Sequence, residues 1–130
     1  MTPEMVAITR LSDGTFLDVN CAFERTMGYS AKDVLGRTSN EIGIWPPEDR
    51  EQMLSVLSEK GAVYSHEIHV RTKDNRTLTA LFSGAKIQIH GEAAIVSTTV
   101  DITERKQIEE ALRRSEERFR KKKKNSPDII

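Results

Sequence analysis

The chain holds a single cysteine, Cys21, in 130 residues. No internal disulfide can form, and such usage fits a reducing cytosol. No apolar run approaches the roughly 20 residues that a membrane span needs, and the N-terminus lacks a secretory signal pattern. A span elsewhere in a longer parent chain stays open. Net charge is also missing: 20 basic residues balance 20 acidic ones, so the protein as a whole has no electrostatic reason to seek nucleic acid. The balance fails only locally, at the consecutively basic Arg120 to Lys124, which reads as a solvated helix end before it reads as a site for an anionic membrane or nucleic acid. The patterns of catalysis are absent too, with no nucleophile beside a base, no Gly-rich phosphate loop and no paired-carboxylate signature. Glu48 and Asp49 are explained as favourable charges on a helix N-terminus. These absences predict a non-catalytic, cytoplasmic piece that touches neither nucleic acid nor membrane.

What is present is one domain's worth of patterned chain. Met5 to Leu11 and Phe16 to Val19 flank Ser12-Asp13-Gly14-Thr15, a β-hairpin signal. Asn20 can cap a helix over Cys21 to Met27 that Gly28 ends, and Ser30 with Asp33 marks a second over Ala31 to Leu35, closed by Gly36. Such short helices cannot stand alone and must lie against something larger. Glu41 to Trp45 reads as a further short piece broken at Pro46-Pro47. The longest internal helix runs from Pro47 to about Lys60, with Met53, Leu54, Val56 and Leu57 as its apolar stripe and Gly61 as its stop. The period then changes. Tyr64 to Arg71 alternates as a strand, Thr72 to Asn75 is a turn, and Thr77 to Ile89 is a long strand in which Gly84 is read as a bulge. A last strand ends at Val100. Strands and helices segregated in this way predict an α+β fold on an antiparallel sheet.

At the end of that last strand, Asp101-Ile102-Thr103-Glu104 opens a highly charged helix. Asp101 followed by Glu104 has the spacing of a carboxylate capping box, so a sheet strand feeds directly into a helix. That helix carries Ile108, Leu112 and Phe119 with Ser115 between the last two, an a/d seam of about two heptads. Its length, about 30 Å from Ile102 to Lys121, exceeds the width of the sheet it leaves. The stripe therefore needs a partner helix or the domain's own sheet.

Taken together, Asp13-Gly14, Val19-Asn20-Cys21-Ala22-Phe23, Met27-Gly28-Tyr29-Ser30, Asp33-Val34-Leu35-Gly36-Arg37, Pro47-Glu48-Asp49-Arg50, Arg71-Thr72-Lys73-Asp74 and Asp101-Ile102-Thr103-Glu104-Arg105-Lys106 resemble the PAS domain with its C-terminal PAC segment, a sensory module of bacterial signalling proteins. The resemblance covers about Met5 to Phe119. It implies a five-stranded antiparallel sheet with short helices over one face and a C-terminal exit helix. Ser115 to Phe119 followed by Asn125 to Ile130 looks like the opening of another such module, although Lys121 to Lys124 departs from the apolar residues usual there. The organisation implied is residues 1–103 as sensory core, 104–124 as an amphipathic signalling or linker helix, and 125–130 as the start of a following module or a disordered tail. The chain then reads as a piece between modules of a sensor histidine kinase or a diguanylate cyclase.

Among relatives, flavin-binding light sensors place a reactive cysteine shortly after the Gly-Arg of the second short helix. Here Gly36-Arg37 is followed by Thr38-Ser39-Asn40, and Cys21 on the earlier helix reads as a buried structural residue. Haem-binding relatives use a histidine on the long helix, and Glu48 to Lys60 has none. Flavin-adduct and histidine-ligated haem chemistry are both disfavoured, and no other cofactor is assigned. His66 and His69 lie on opposite faces of a strand and cannot chelate together, so no metal site is expected. His66 fits a core or pocket-edge role and His90 an exposed turn. A ligand cavity between sheet and helices would be lined by Met27, Ile42, Trp45, Met53, Leu57, Ile68 and Phe82, all equally ordinary core residues.

The function expected is a sensory module. It relays ligand or packing state through Asp101, Thr103 and Glu104 into the exit helix and on to an output domain, a histidine kinase by preference. The alternative is a ligand-free interaction module. Its expected partners are a second copy, met through the exit helix and a sheet face, and the neighbouring domains of its own chain.

Overall fold

In the computed structural model of the chain, residues 4–125 are described, with side chains through Arg120. The segment read as a following module or tail falls, from residue 126 onward, outside the described residues. Strands β1 (Met5–Arg10), β2 (Phe16–Val19), β3 (Ala62–Arg71), β4 (Thr77–Ile89) and β5 (Glu92–Asp101) form one antiparallel sheet in the order β2-β1-β5-β4-β3. Helices α1 (Cys21–Met27), α2 (Ala31–Val34), α3 (Ser39–Ile42) and α4 (Pro47–Lys60) intervene between β2 and β3, and α5 (Thr103–Asn125) leaves the last strand. This is the α+β architecture expected from the order of patterned segments.

Local chemistry sets the short helices. The Asn20 side chain accepts from Phe23 N–H at 3.0 Å and also from Val6 N–H at 3.0 Å, so one carbonyl caps α1 and ties it to β1. Gly28 then ends α1 with φ at +81°, a conformation costly for other residues. Thr38 caps α3 by accepting from Glu41 N–H, and Pro47 opens α4, where a missing N–H costs nothing. The third short helix thus begins at Ser39, two residues before the expected start, because the Thr38 hydroxyl competes for the first free amide.

Register sorts the sheet residues by face. Phe82 pairs with His66 and Thr99, Ala80 with Ile68, and Gly84 with Val63 and Ser97, all on the side covered by the helices. Val34, Ala80 and Ala94 are fully buried, and Phe16, Phe23, Met27, Met53, Leu57, Ile68, Val70 and Phe82 fill the single core. Gly84 is not itself the bulge. The extra residues lie opposite it in β3, between Val63 and His66, where Ser65 adopts φ +47° and Ser83 Oγ accepts from Ser65 N–H at 2.9 Å. Gly84 serves another need: a Cβ there would stand 3.1 Å from the Phe82 ring and 3.3 Å from Ile95.

Candidate functional site

Two features carry the chemistry of this fold: a cavity inside the body and the junction where α5 leaves it. The cavity, about 70 Å3, lies between the inner sheet face and the helices. Met27, Trp45, Met53, Ile68 and Phe82 from the expected set line it. Leu57 is buried in the core and Ile42 packs against it half-buried, and neither reaches the lining. Trp45 stacks on Phe82 with ring centroids 5.5 Å apart and planes at 41°, so the loop before α4 closes over β4.

The lining also contains residues that periodicity did not flag. Gly14, Ser39 and Arg50 meet at one point of it. Arg50 Nη2 donates to Leu11 O at 3.0 Å, fastening α4 to the β1–β2 turn. Burial pulls the Arg50 guanidinium below its ordinary pKa, partly offset by the Asp13 carboxylate. Ser39 Oγ is buried without a hydrogen-bond partner among the described residues. The available signal was positional: a cation in the first turn of α4 opposes the helix dipole, so Arg50 needs another reason to be there.

Neither a thiol nor an imidazole lines the cavity. Cys21 is exposed, against the expectation of a buried structural role. As the residue directly after the Asn20 cap it starts α1 on the solvent side, while Ala22 and Phe23 take the core. His66 is half-buried opposite Phe82, and His69 is exposed. Among the described residues, no group of three His, Cys, Asp or Glu side chains could hold a metal ion. The cavity is also well below the roughly 300–1,000 Å3 usual for cofactor sites. The lining thus offers no thiol for a flavin adduct and no imidazole for a haem iron.

The junction is not the expected capping box, since the helix starts one residue later than a cap at Asp101 would place it. Helix α5 begins at Thr103, and Asp101 belongs to β5, paired with Ala80. Asp101 Oδ1 accepts from Thr103 N–H at 3.0 Å and from Thr103 Oγ1 at 2.6 Å, the i to i+2 pattern of an Asx turn. Glu104 is exposed and has no reciprocal bond to the backbone among the described residues. The Thr103 hydroxyl in turn accepts from Thr79 N–H at 3.0 Å, and Ile102 N–H donates to Thr79 O at 2.8 Å. Ile102 is buried, so the first residues of the helix are pinned to β4 from both sides. Farther along, Ile108, Leu112 and Phe119 are 62%, 59% and 67% exposed. The seam does not fold back on this sheet.

A family model described as PAS domain matches residues 3–104. The sensor histidine kinase TmoS of Ectopseudomonas mendocina is 31% identical over 107 residues, which is 78% of this chain but 11% of that protein. The chain therefore spans only about a tenth of the length of this relative. Among solved structures, the PAS domain of an HTR-like protein from Haloarcula marismortui is 26% identical, with a TM-score of 0.65, covering 78% of this chain and 83% of that one. An RNA-binding light-oxygen-voltage receptor superposes with a TM-score of 0.70 at 22% identity, covering 88% of this chain and 34% of that one. At that identity the likeness is one of fold. No helix among the described residues is long and apolar enough to cross a membrane.

Proposed function

The chain belongs to the PAS domain family, and from that premise we propose that it is a sensory module whose core state is relayed through α5 to an output domain. PAS domains are in general non-catalytic sensory units, and similarity to a sensor histidine kinase favours that enzyme over a diguanylate cyclase as the output. In this reading residues 1–103 are the sensing body and 104–124 the signalling helix. Asp101 and Thr103 carry the relay. Glu104 contributes only a favourable charge near the helix start.

One observation carries the reading. Strand β4 presents Phe82 to the cavity, and three residues away Thr79 is hydrogen-bonded through both its N–H and its C=O to the start of α5. A change in packing at Phe82 therefore has a short, hydrogen-bonded route to Thr103. Transmission requires that an occupant stabilise one arrangement of this route over the other, since equal binding to both shifts nothing.

The test is Asp101→Ala in the longer parent protein. Signal-dependent output should collapse to a constant level while the body stays folded. Unchanged signal dependence would refute the relay role of Asp101.

A second reading is favoured by the exposed seam. Ile108, Leu112 and Phe119, with the half-buried outer-face residues Val6, Ile8, Val96 and Val100, would pair two copies without any small molecule. Native mass spectrometry of freshly purified protein separates the two: a retained small molecule supports sensing, and a bare dimer supports pairing. Ile108→Glu with Leu112→Glu should turn such a dimer into a monomer.

A further inference from the structure

The relay leaves the chemical class of the occupant open, and the cavity's lining narrows it. Most of the lining is apolar, with Phe23, Met27 and Phe82 among it, and it includes one cationic side chain, Arg50, and no carboxylate. The position that a Gly14 Cβ would take lies 2.9 Å from Arg50 Nε and 3.1 Å from Ser39 Oγ, so the guanidinium and the hydroxyl lie side by side against the Gly14 backbone, and all three residues border the cavity. Ser39 is only 5% exposed, and its Oγ is unpartnered among the described residues. A buried hydroxyl left so is costly unless something fills the place. Arg50 commits Nη2 to Leu11 O, and a guanidinium has five N–H donors in a planar fork. Most of that fork is uncommitted.

We propose, building on the sensory reading above, that the cavity takes a small organic acid. Its carboxylate is held by the Arg50 fork and the Ser39 hydroxyl, and its short apolar body lies against Phe23, Met27 and Phe82. A cation would be repelled by Arg50, the one charged side chain of the lining, and a neutral molecule would make weaker, uncharged bonds to the guanidinium donors that Leu11 leaves free. An inorganic anion would make no use of the apolar walls. At about 70 Å3 the space suits a body of a few carbons and excludes ring systems of nucleotide size.

The test is an NMR titration of the 130-residue chain with sodium butyrate, against butyramide and sodium phosphate at constant ionic strength. Butyrate should give saturable shifts at the Gly14 and Ser39 amides, with butyramide and phosphate at least tenfold weaker. Arg50→Gln should weaken butyrate at least tenfold and leave butyramide unchanged. Ser39→Ala removes the unpartnered hydroxyl, so it should melt no lower than the parent while binding butyrate several-fold more weakly. Equal affinity for acid and amide, or undiminished butyrate binding in both variants, would overturn the acid assignment while leaving sensing intact. Phosphate binding as tightly as butyrate would overturn it too, as would an absence of saturable shifts with all three compounds. The Asp101→Ala experiment, which uses none of these compounds, judges the relay separately.

Discussion

Lys106 Nζ stands 3.0 Å from Glu67 Oε1, joining the first turn of the exit helix to edge strand β3 across the end of β4. With the Thr79–Thr103 bonds it gives α5 two attachments to the sheet. One is half-buried and made of short polar side chain and backbone, and the other is exposed and held by two long side chains.

The exposed one should respond to pH in a defined direction. Hydrogen bonding to Glu67, then its charge, raises the pKa of Lys106 above the ordinary lysine value. A group whose folded pKa is raised contributes fully below the unfolded value, about 10.4, and loses that contribution as pH rises through the folded one. Amide exchange in the first two turns of α5 should therefore be constant from pH 6 to 9 once corrected for intrinsic rates, and should accelerate in stronger alkali. Glu67→Gln should bring the same loosening at neutral pH with little change in melting temperature, because exposed pairs contribute little to global stability.

Thr103 should matter more than its exposure suggests. Thr103→Val leaves Thr79 N–H and Asp101 Oδ1 short of a partner and should cost about 1–3 kcal/mol in urea denaturation. Thr103→Ser keeps the hydroxyl and should cost less. Asp101→Ala removes an acceptor from the helix start and should cost about 1 kcal/mol. Equal stability of the valine and serine variants would show that the hydroxyl contacts are not what fastens the helix.

Gly84→Ala tests how the cavity and the sheet share space. The added methyl would press on the Phe82 ring at 3.1 Å, and Phe82 borders empty volume into which it can move. Stability should change by less than about 1 kcal/mol, below the usual cost of overpacking a filled core. The Trp45 fluorescence should shift, because Trp45 stacks on the displaced ring. A large loss of stability with unchanged fluorescence would mean that Phe82 cannot yield.

Acid should unfasten the turns before the core. The carboxyls of Asp13, Asp33 and Asp74 all lie below the ordinary aspartate range, held there first by hydrogen bonds from Thr15, Ser30 and Thr72. A depressed folded pKa gives stability that is complete above about 3.9 and lost as pH falls through the folded value. Melting temperature should thus be flat from pH 7 to about 5 and fall below 4. The triple Asn variant should flatten that acid limb.

Much of the fold could be read from the residues because punctuation and period agree. Gly28 and Gly61 stop helices, Pro47 starts one, and alternation in β3 and β4 assigns Ile68, Val70, Leu78, Ala80 and Phe82 to one face. Boundaries shifted where a side chain offered two local solutions. Asp101 has a helix-cap spacing, yet its Asx turn onto Thr103 lets the strand continue through it. The polar members of the cavity escaped notice for a different reason. Ser39 and Arg50 are residue types that ordinarily face water, and only the folded approach of the β1–β2 turn to α4 encloses them. Cys21 misled in the opposite sense, since an average tendency to burial says nothing about which side of a helix start a residue occupies.

The bulge at Tyr64 and Ser65 bears on how such modules crowd together. It interrupts the outer rim of β3 with a left-handed residue and a tyrosine pointing into solvent, 82% exposed. At the opposite rim β2 is four residues long and is overlain at Phe16 by Leu35. The first border is broken at its start and carries Glu67, His69 and Arg71 along the rest, and the second is short, so both discourage a foreign strand from pairing. Fibre-like growth by adding strands at these two borders is thereby discouraged, whatever other surface of the domain makes contacts.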